Sequence, residues 1–229
     1  MKNKIKKFNL IFLPAISMLV ISGCSKLLDR EPVTQIVTNT TSSAAISASQ
    51  AEGLLQGEYT AEIGYSYGLE FNVLDRITNG DVWADNCYAG GDNADNITID
   101  LFTENSLNGN ITRDWSDAYG IIGNINIAIP QIQACADPAL SATRKAQILG
   151  ESRFMRAFTY FDMVRLFGNL PLILQPANLT NSEDLIKSTF VPQSSVDTVY
   201  DAILQDLWFA KDNVQDDNVP STKMVVTKG

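Results

Sequence analysis

The sequence predicts a mainly α-helical chain, built from helical pairs with long irregular loops between them. Three observations carry this expectation. Apolar residues recur at helical spacing over four separate stretches. Those stretches open on capping residues and close on glycine or proline. Between the first two, residues 72–113 lose the period and crowd Asn, Asp and Gly into turn-forming clusters.

The first helix is expected from Ser49-Gln50-Ala51-Glu52, a capping box in which Ser49 and Glu52 satisfy each other's backbone donors. Ala51, Leu54, Leu55, Tyr59 and Ile63 follow at helical spacing, and Gly64 and Gly68 end the pattern. Within the irregular stretch, residues 97–102 (ITIDLF) read as a short strand or extended segment. A loop of this length is uncommon in a compact domain and is often functional. Helical spacing returns with Trp115, Ala118, Ile122, Ile125, Ile129 and Ile132 on one side, and Pro130 is expected to kink that helix. Asp137-Pro138 then reads as cap and first position of the next one.

That third helix has Phe154, Ala157, Phe158, Phe161, Val164 and Gly168 on one apolar face, with Met155, Met163 and Leu166 on its flanks and rear. It is therefore expected to touch neighbours on more than one side. Arg165 falls inside the apolar face and needs a partner, for which Asp162 is the local candidate. Gly168 ends the helix and Pro171 prevents its resumption. A last helix is signalled by Ser194-Ser195-Val196-Asp197, with the stripe Val196, Val199, Ile203, Leu207 and Ala210. Gly150-x3-Phe154-x2-Ala157 resembles the knob pattern of second helices in tetratricopeptide pairs.

Composition excludes several functions. Of 229 residues, 45% are apolar, enough for a packed core. The formal net charge is -9, which argues against nucleic acid and anionic lipid as electrostatic partners. There is no histidine, which removes Ser-His and Cys-His catalysis and imidazole zinc sites. Carboxylate, lysine and tyrosine chemistry remain open.

The N-terminus reads as an address. MKNKIKK is a basic block, and FNLIFLPAISMLVIS is an apolar core too short for a spanning helix. Ile21-Ser22-Gly23-Cys24 resembles a bacterial lipobox, so residues 1–23 are expected to be a signal peptide and Cys24 the lipidated residue. Acyl chains contribute roughly 0.8 kcal/mol per buried CH₂, which holds a protein on a membrane without a spanning helix. Residues 24–48 read as a polar tether and 49–229 as the folded domain. Cys87 and Cys135 are left, paired or free.

Residues 150–172, GESRFMRAFTYFDMVRLFGNLPL, are similar nearly end to end to the signature segment of the SusD/RagB family. Trp115, Tyr119, Ile122 and Asn126, residues 199–207 and residues 24–29 extend the resemblance over most of the chain. It implies tetratricopeptide-like helical pairs on one side and loop-rich structure on the other. It implies a surface lipoprotein of the outer membrane that binds a glycan or oligopeptide and covers the mouth of a SusC-like TonB-dependent transporter. No catalytic activity, cofactor or metal is implied. Members are considerably longer, so the chain is expected to be an N-terminal portion whose C-terminal half is absent, with apolar surface exposed at one end of the stack.

For a sugar site, aromatic platforms and polar groups are needed together. The stretch 81–88 has both: Trp83 and Tyr88 can stack, and Asp85, Asn86 and Asn93 can bond hydroxyls. The bland alternative makes Trp83 a core plug. Asp92, Asp95 and Asp100 lack calcium-loop spacing. Phe154, Phe158, Phe161, Arg165 and Gly168 are expected to be scaffold. Two other functions stay open: a lipid-anchored adaptor for protein partners only, and a carboxylate glycosidase.

Overall fold

A computed structural model describes residues 46–63, 69–178, 181–215 and 226–227. The expected signal segment, Cys24, the tether up to residue 45, Gly64, Gly68 and Lys228-Gly229 lie outside them. The chain divides into two units, 1–42 and 43–229, and the description that follows concerns the second.

Helix α1 spans Ala48–Ile63. Its capping box is Ser47 with Gln50, not Ser49 with Glu52: Ser47 Oγ accepts from the Gln50 amide at 3.2 Å and Gln50 Oε1 from the Ser47 amide at 2.8 Å. The start is set from a distance as well, because Asp137 Oδ2 accepts from the Ala48 amide at 2.8 Å. Asp137 thus caps α1 rather than the helix that follows it in sequence. The buried face of α1 is Ala51, Leu55, Glu58 and Glu62, while Ile63 is exposed. Apolar spacing alone missed those two glutamates.

Residues 69–82 wind as π-helix Leu69–Leu74 (π1), a single α-turn Asp75–Ile77 (α2) and π-helix Thr78–Val82 (π2). Residues expected to be extended at 97–102 belong largely to a short helix, α3, at Ala94–Asp100. Ile97, Thr98 and Ile99 favour a strand by propensity. The Asn93 cap, whose Oδ1 accepts from the amides of Asp95 and Asn96, and the burial of Ile99 override it. Helix α4 runs from Gly109 to Ala134, through Pro130, and starts on an Asn108 cap well before the first apolar signal at Trp115. Helix α5 spans Ala142–Phe167, capped by Ser141. Strand β1, Leu170–Pro171, pairs antiparallel with β2, Gln193–Ser194. Between them lies helix α6, Ser182–Thr189, which apolar spacing did not signal. Helix α7, Val196–Asn213, opens on Ser195.

Helix α5 is the centre of the stack, and residue contacts fix the direction of each neighbour. Trp115 meets Phe167 edge-on at 5.1 Å and Asn126 meets Arg156 at 2.7 Å, so α4 runs antiparallel to α5. Phe161 meets Tyr200 at 6.3 Å and Arg156 meets Asp206 at 2.8 Å, so α7 is antiparallel too. Tyr59 bonds Glu151 and Thr159 bonds Glu62, so α1 lies parallel. Gly150 permits a close approach of α5 to the end of α7: a Cβ there would sit 3.0 Å from Val214 Cγ1 and 3.3 Å from the Val214 amide nitrogen. Helical pairing is therefore as expected.

The orientation of α5 is not. Phe158 and Phe161 are 36% and 38% exposed, and Phe154 is half-buried and stacked on Phe158. The core takes Met155, Ala157, Tyr160, Met163 and Val164, along with the polar residues Glu151, Ser152, Arg156, Thr159 and Asp162. Three neighbours cover α5, so most of these polar residues meet partners there and its phenylalanines line what remains open. Leu204 and Trp208 on α7 are exposed as well. Arg165 does pair with Asp162, at 3.4 Å, but its side chain is 56% exposed. The buried arginine is Arg156. Gly168 closes the helix at φ 72°, ψ -117°, a conformation L side chains rarely adopt.

The segment after Gly168 is pinned to the stack by side chains of the signature. Tyr119 donates to the Pro171 carbonyl at 2.7 Å, and Asn126 to that of Ile173 at 2.8 Å. The Tyr160 hydroxyl donates to the Ile173 carbonyl and accepts from its amide. The motif is a clamp on the chain. Cys87 is exposed, Cys135 is buried, and both are free; Cys135 Sγ donates to the Ile46 carbonyl.

Candidate binding site around Trp83

Helix π2 presents one side of its wide turn to the C-terminal half of α5. Between them is an open pocket of about 230 Å³, lined by Phe71, Arg76, Asn79, Gly80, Trp83, Asp162, Arg165 and Leu166. Trp83 is half-buried, with one flank on this pocket and another on a smaller cavity of about 70 Å³ above Asp114. It is a wall of both.

The polar rim is ordered by ion pairs. Arg76 and Arg165 both donate to the carboxylate of Asp162, and their guanidinium groups lie 5.4 Å and 5.0 Å from the ring centres of Phe158 and Phe161. Arg76 Nε also donates to the Asn72 carbonyl, and each guanidinium keeps further N–H donors beyond these bonds. Below, Asn79 donates to Asp114, which is fully buried. Burial pushes the Asp114 carboxyl up to about 8, and the nearness of the Asp75 carboxylate contributes to that rise. Arg113 pairs with Asp75.

Of the ligand-binding candidates from sequence, Trp83 alone lines this pocket. Asp85, Asn86 and Tyr88 lie exposed on the turn beyond it, Asp85 at φ 58°, a left-handed conformation that Asp tolerates. Asn93 is spent as the cap of α3. Arg76 and Asn79 were missed, and Asp162 and Arg165 were expected only as an ion pair within α5. They are ordinary polar residues, and only the π-helical winding of 69–82 brings the first two against α5. Among the described residues no group of His, Cys, Asp and Glu is arranged to hold a metal ion, and no helix is long and apolar enough to cross a membrane.

A family profile described as SusD-like, starch-binding and associating with the outer membrane matches residues 26–228. The chain belongs to the SusD-like family. It is 31% identical over 217 residues to SusD-like protein P38 of Formosa agariphila, covering 92% of this chain and 38% of that one. It is 26% identical to a SusD-like protein of Bacteroides ovatus, covering 88% and 34%. Among solved structures, a laminarin-binding SusD-like protein superposes with a TM-score of 0.64 at 24% identity, over 80% of this chain and 37% of that one. A SusD-like carbohydrate-binding protein of Bacteroides vulgatus gives 0.63 at 18%, over 80% and 39%. The chain therefore spans under two fifths of the length of these SusD-like relatives.

Proposed function

We propose that this protein is a lipid-anchored component of the outer membrane that binds a glycan at the Trp83 pocket and passes it to a SusC-like TonB-dependent transporter. The observation that carries the binding site is the meeting of an indole wall with Asn79, Arg76 and Arg165. A sugar ring presents an apolar face to an aromatic and hydroxyls to such donors. Family membership supports a glycan ligand, and the laminarin bound by one structural relative supports β-glucans as first candidates. The lipobox supports the anchor. The irregular 72–108 side, with exposed Tyr88, Leu101, Phe102 and Leu107, is the natural face for ligand and transporter.

The test is calorimetric titration of the purified chain against starch, laminarin and further neutral glycans. Trp83→Ala is expected to weaken the binding glycan at least tenfold, about 1.4 kcal/mol. Silence on every glycan and oligopeptide, with transporter co-purification intact, would replace this reading with the protein-only adaptor.

A further inference from the structure

On the opposite side of α5 from Trp83 lies a second crevice, of about 170 Å³, between the C-terminal end of α4, the first half of α5, the segment at Leu174-Gln175 and α7. Arg153 and Arg156 face it, while Asp162, Arg165 and Leu166 face the Trp83 pocket; at 100° per residue these sets fall on opposite sides of the helix. We propose that this crevice is a separate, anion-selective site for a hydroxylated monocarboxylate, of the class of a uronic acid.

The charges in the crevice do not cancel. Its charged lining consists of Arg153, Arg156 and Asp206. Arg156 consumes Asp206: Nε and Nη2 donate to its two oxygens at 2.8 and 2.9 Å. The remaining Arg156 nitrogen donates to Asn126 Oδ1 and the Leu174 carbonyl. Arg156 is thus part of the scaffold. Arg153 is held differently. Its guanidinium carbon lies 4.0 Å over the Phe209 ring, and Nη1 is 3.9 Å from Asp206, beyond hydrogen-bond reach. Its Nε is buried without a hydrogen-bond partner among the described residues. The cation is positioned, yet its fork of donors is unspent. A protein of net charge -9 therefore carries here a local surplus of one positive charge.

That surplus sets the ligand. A carboxylate matches the planar guanidinium fork with two parallel hydrogen bonds. A dianion would carry a second charge toward Asp206, so a monoanion is favoured. Gln133, Gln175 and Gln205 enter from three elements, and each amide can donate to or accept from a hydroxyl. The volume is below the roughly 300 Å³ of a drug-sized pocket and suits a single ring.

Binding of glucuronate, glucose and acetate to the purified chain is measured by calorimetry or saturation-transfer NMR. Glucuronate is expected to bind at least tenfold more tightly than glucose and more tightly than acetate. Arg153→Gln is expected to lose at least tenfold in glucuronate affinity, and Trp83→Ala to leave it unchanged. Should Arg153→Gln fold poorly, Gln205→Glu tests the same point from the exposed rim: it cancels the surplus charge and is expected to abolish binding. In the Trp83→Ala chain, glucose binding as well as glucuronate overturns the proposal, as does no glucuronate binding by the wild type or full affinity in Gln205→Glu. An oligouronide arm identifies the source: tighter binding than the monomer supports a glycan, equal binding a free sugar acid, and both support the site. Because Trp83 is not involved, failure here leaves the Trp83 reading untouched, and the reverse.

Discussion

Replacing Glu58 by glutamine removes a carboxyl that folding buries almost completely, at 2% exposure on the inner face of α1. Among the described residues neither of its oxygens, nor Ser152 Oγ nearby, has a hydrogen bond of ordinary geometry. Burial raises the Glu58 carboxyl from the ordinary 4.5 to about 8; the proximity of Ser152 opposes this, and the charges of Glu151 and Glu62 add to it. The consequence for stability has a definite sign. In the unfolded chain the group ionises near 4.5, whereas in the folded chain it keeps its proton until about 8. Its contribution is therefore fully present below 4.5, falls as pH rises, and is lost above about 8. Each pH unit inside that window costs about 1.4 kcal/mol for one group, so wild type loses about 3 kcal/mol through Glu58 between about pH 5 and 7. A glutamine side chain has no proton to exchange, and the variant retains only the pH dependence of the other groups. Glu62, raised by burial to about 7, and Asp114, raised to about 8, act in the same direction. Urea unfolding at half-unit pH steps measures the two slopes. Glu58→Gln is expected to be flatter than wild type by about 3 kcal/mol over the interval. Parallel curves, or wild-type stability rising across the interval, would refute the reasoning.

Asp206→Ala should cost about 3–5 kcal/mol in urea unfolding, since it strands the buried guanidinium of Arg156 without its bidentate partner. Arg165→Ala, at an exposed pair, should cost less than about 1 kcal/mol by the same measurement. Gly168→Ala should cost about 1–3 kcal/mol, because the helix end needs φ 72° and a Cβ is strained there whatever the surrounding space. Cys24→Ser should abolish incorporation of labelled palmitate and move the protein out of the membrane fraction, tested by metabolic labelling and fractionation.

Local signals located the long helices well and the candidate site poorly. The Ser195 cap, the stop at Gly168 and the isoleucine stripe of α4 each report on neighbours within one or two turns, so they are readable in sequence. Residues 97–102 misled because β-branched residues state a preference that the Asn93 cap outweighs. In the site, Trp83 was visible as an aromatic among polar residues. Arg76 and Asn79 carried no signal, since they reach Trp83 only when π1 and π2 wind the chain against α5.

By itself the sequence determined where the four long helices lie, where α5 stops and α7 begins, which family the chain joins, and that α5 must have several neighbours. Local hydrogen bonding and chain stiffness decide where helices start and end, and both are properties of adjacent residues. Tertiary structure alone decided which side of α5 is core. Three helices cover it, so Arg156, Thr159 and Asp162 find partners inside while Phe158 and Phe161 face outward. An amphipathic pattern identifies the buried side only when one side is buried; a helix enclosed by α1, α4 and α7 satisfies its polar groups against them, and the residues at the remaining gap form the surface.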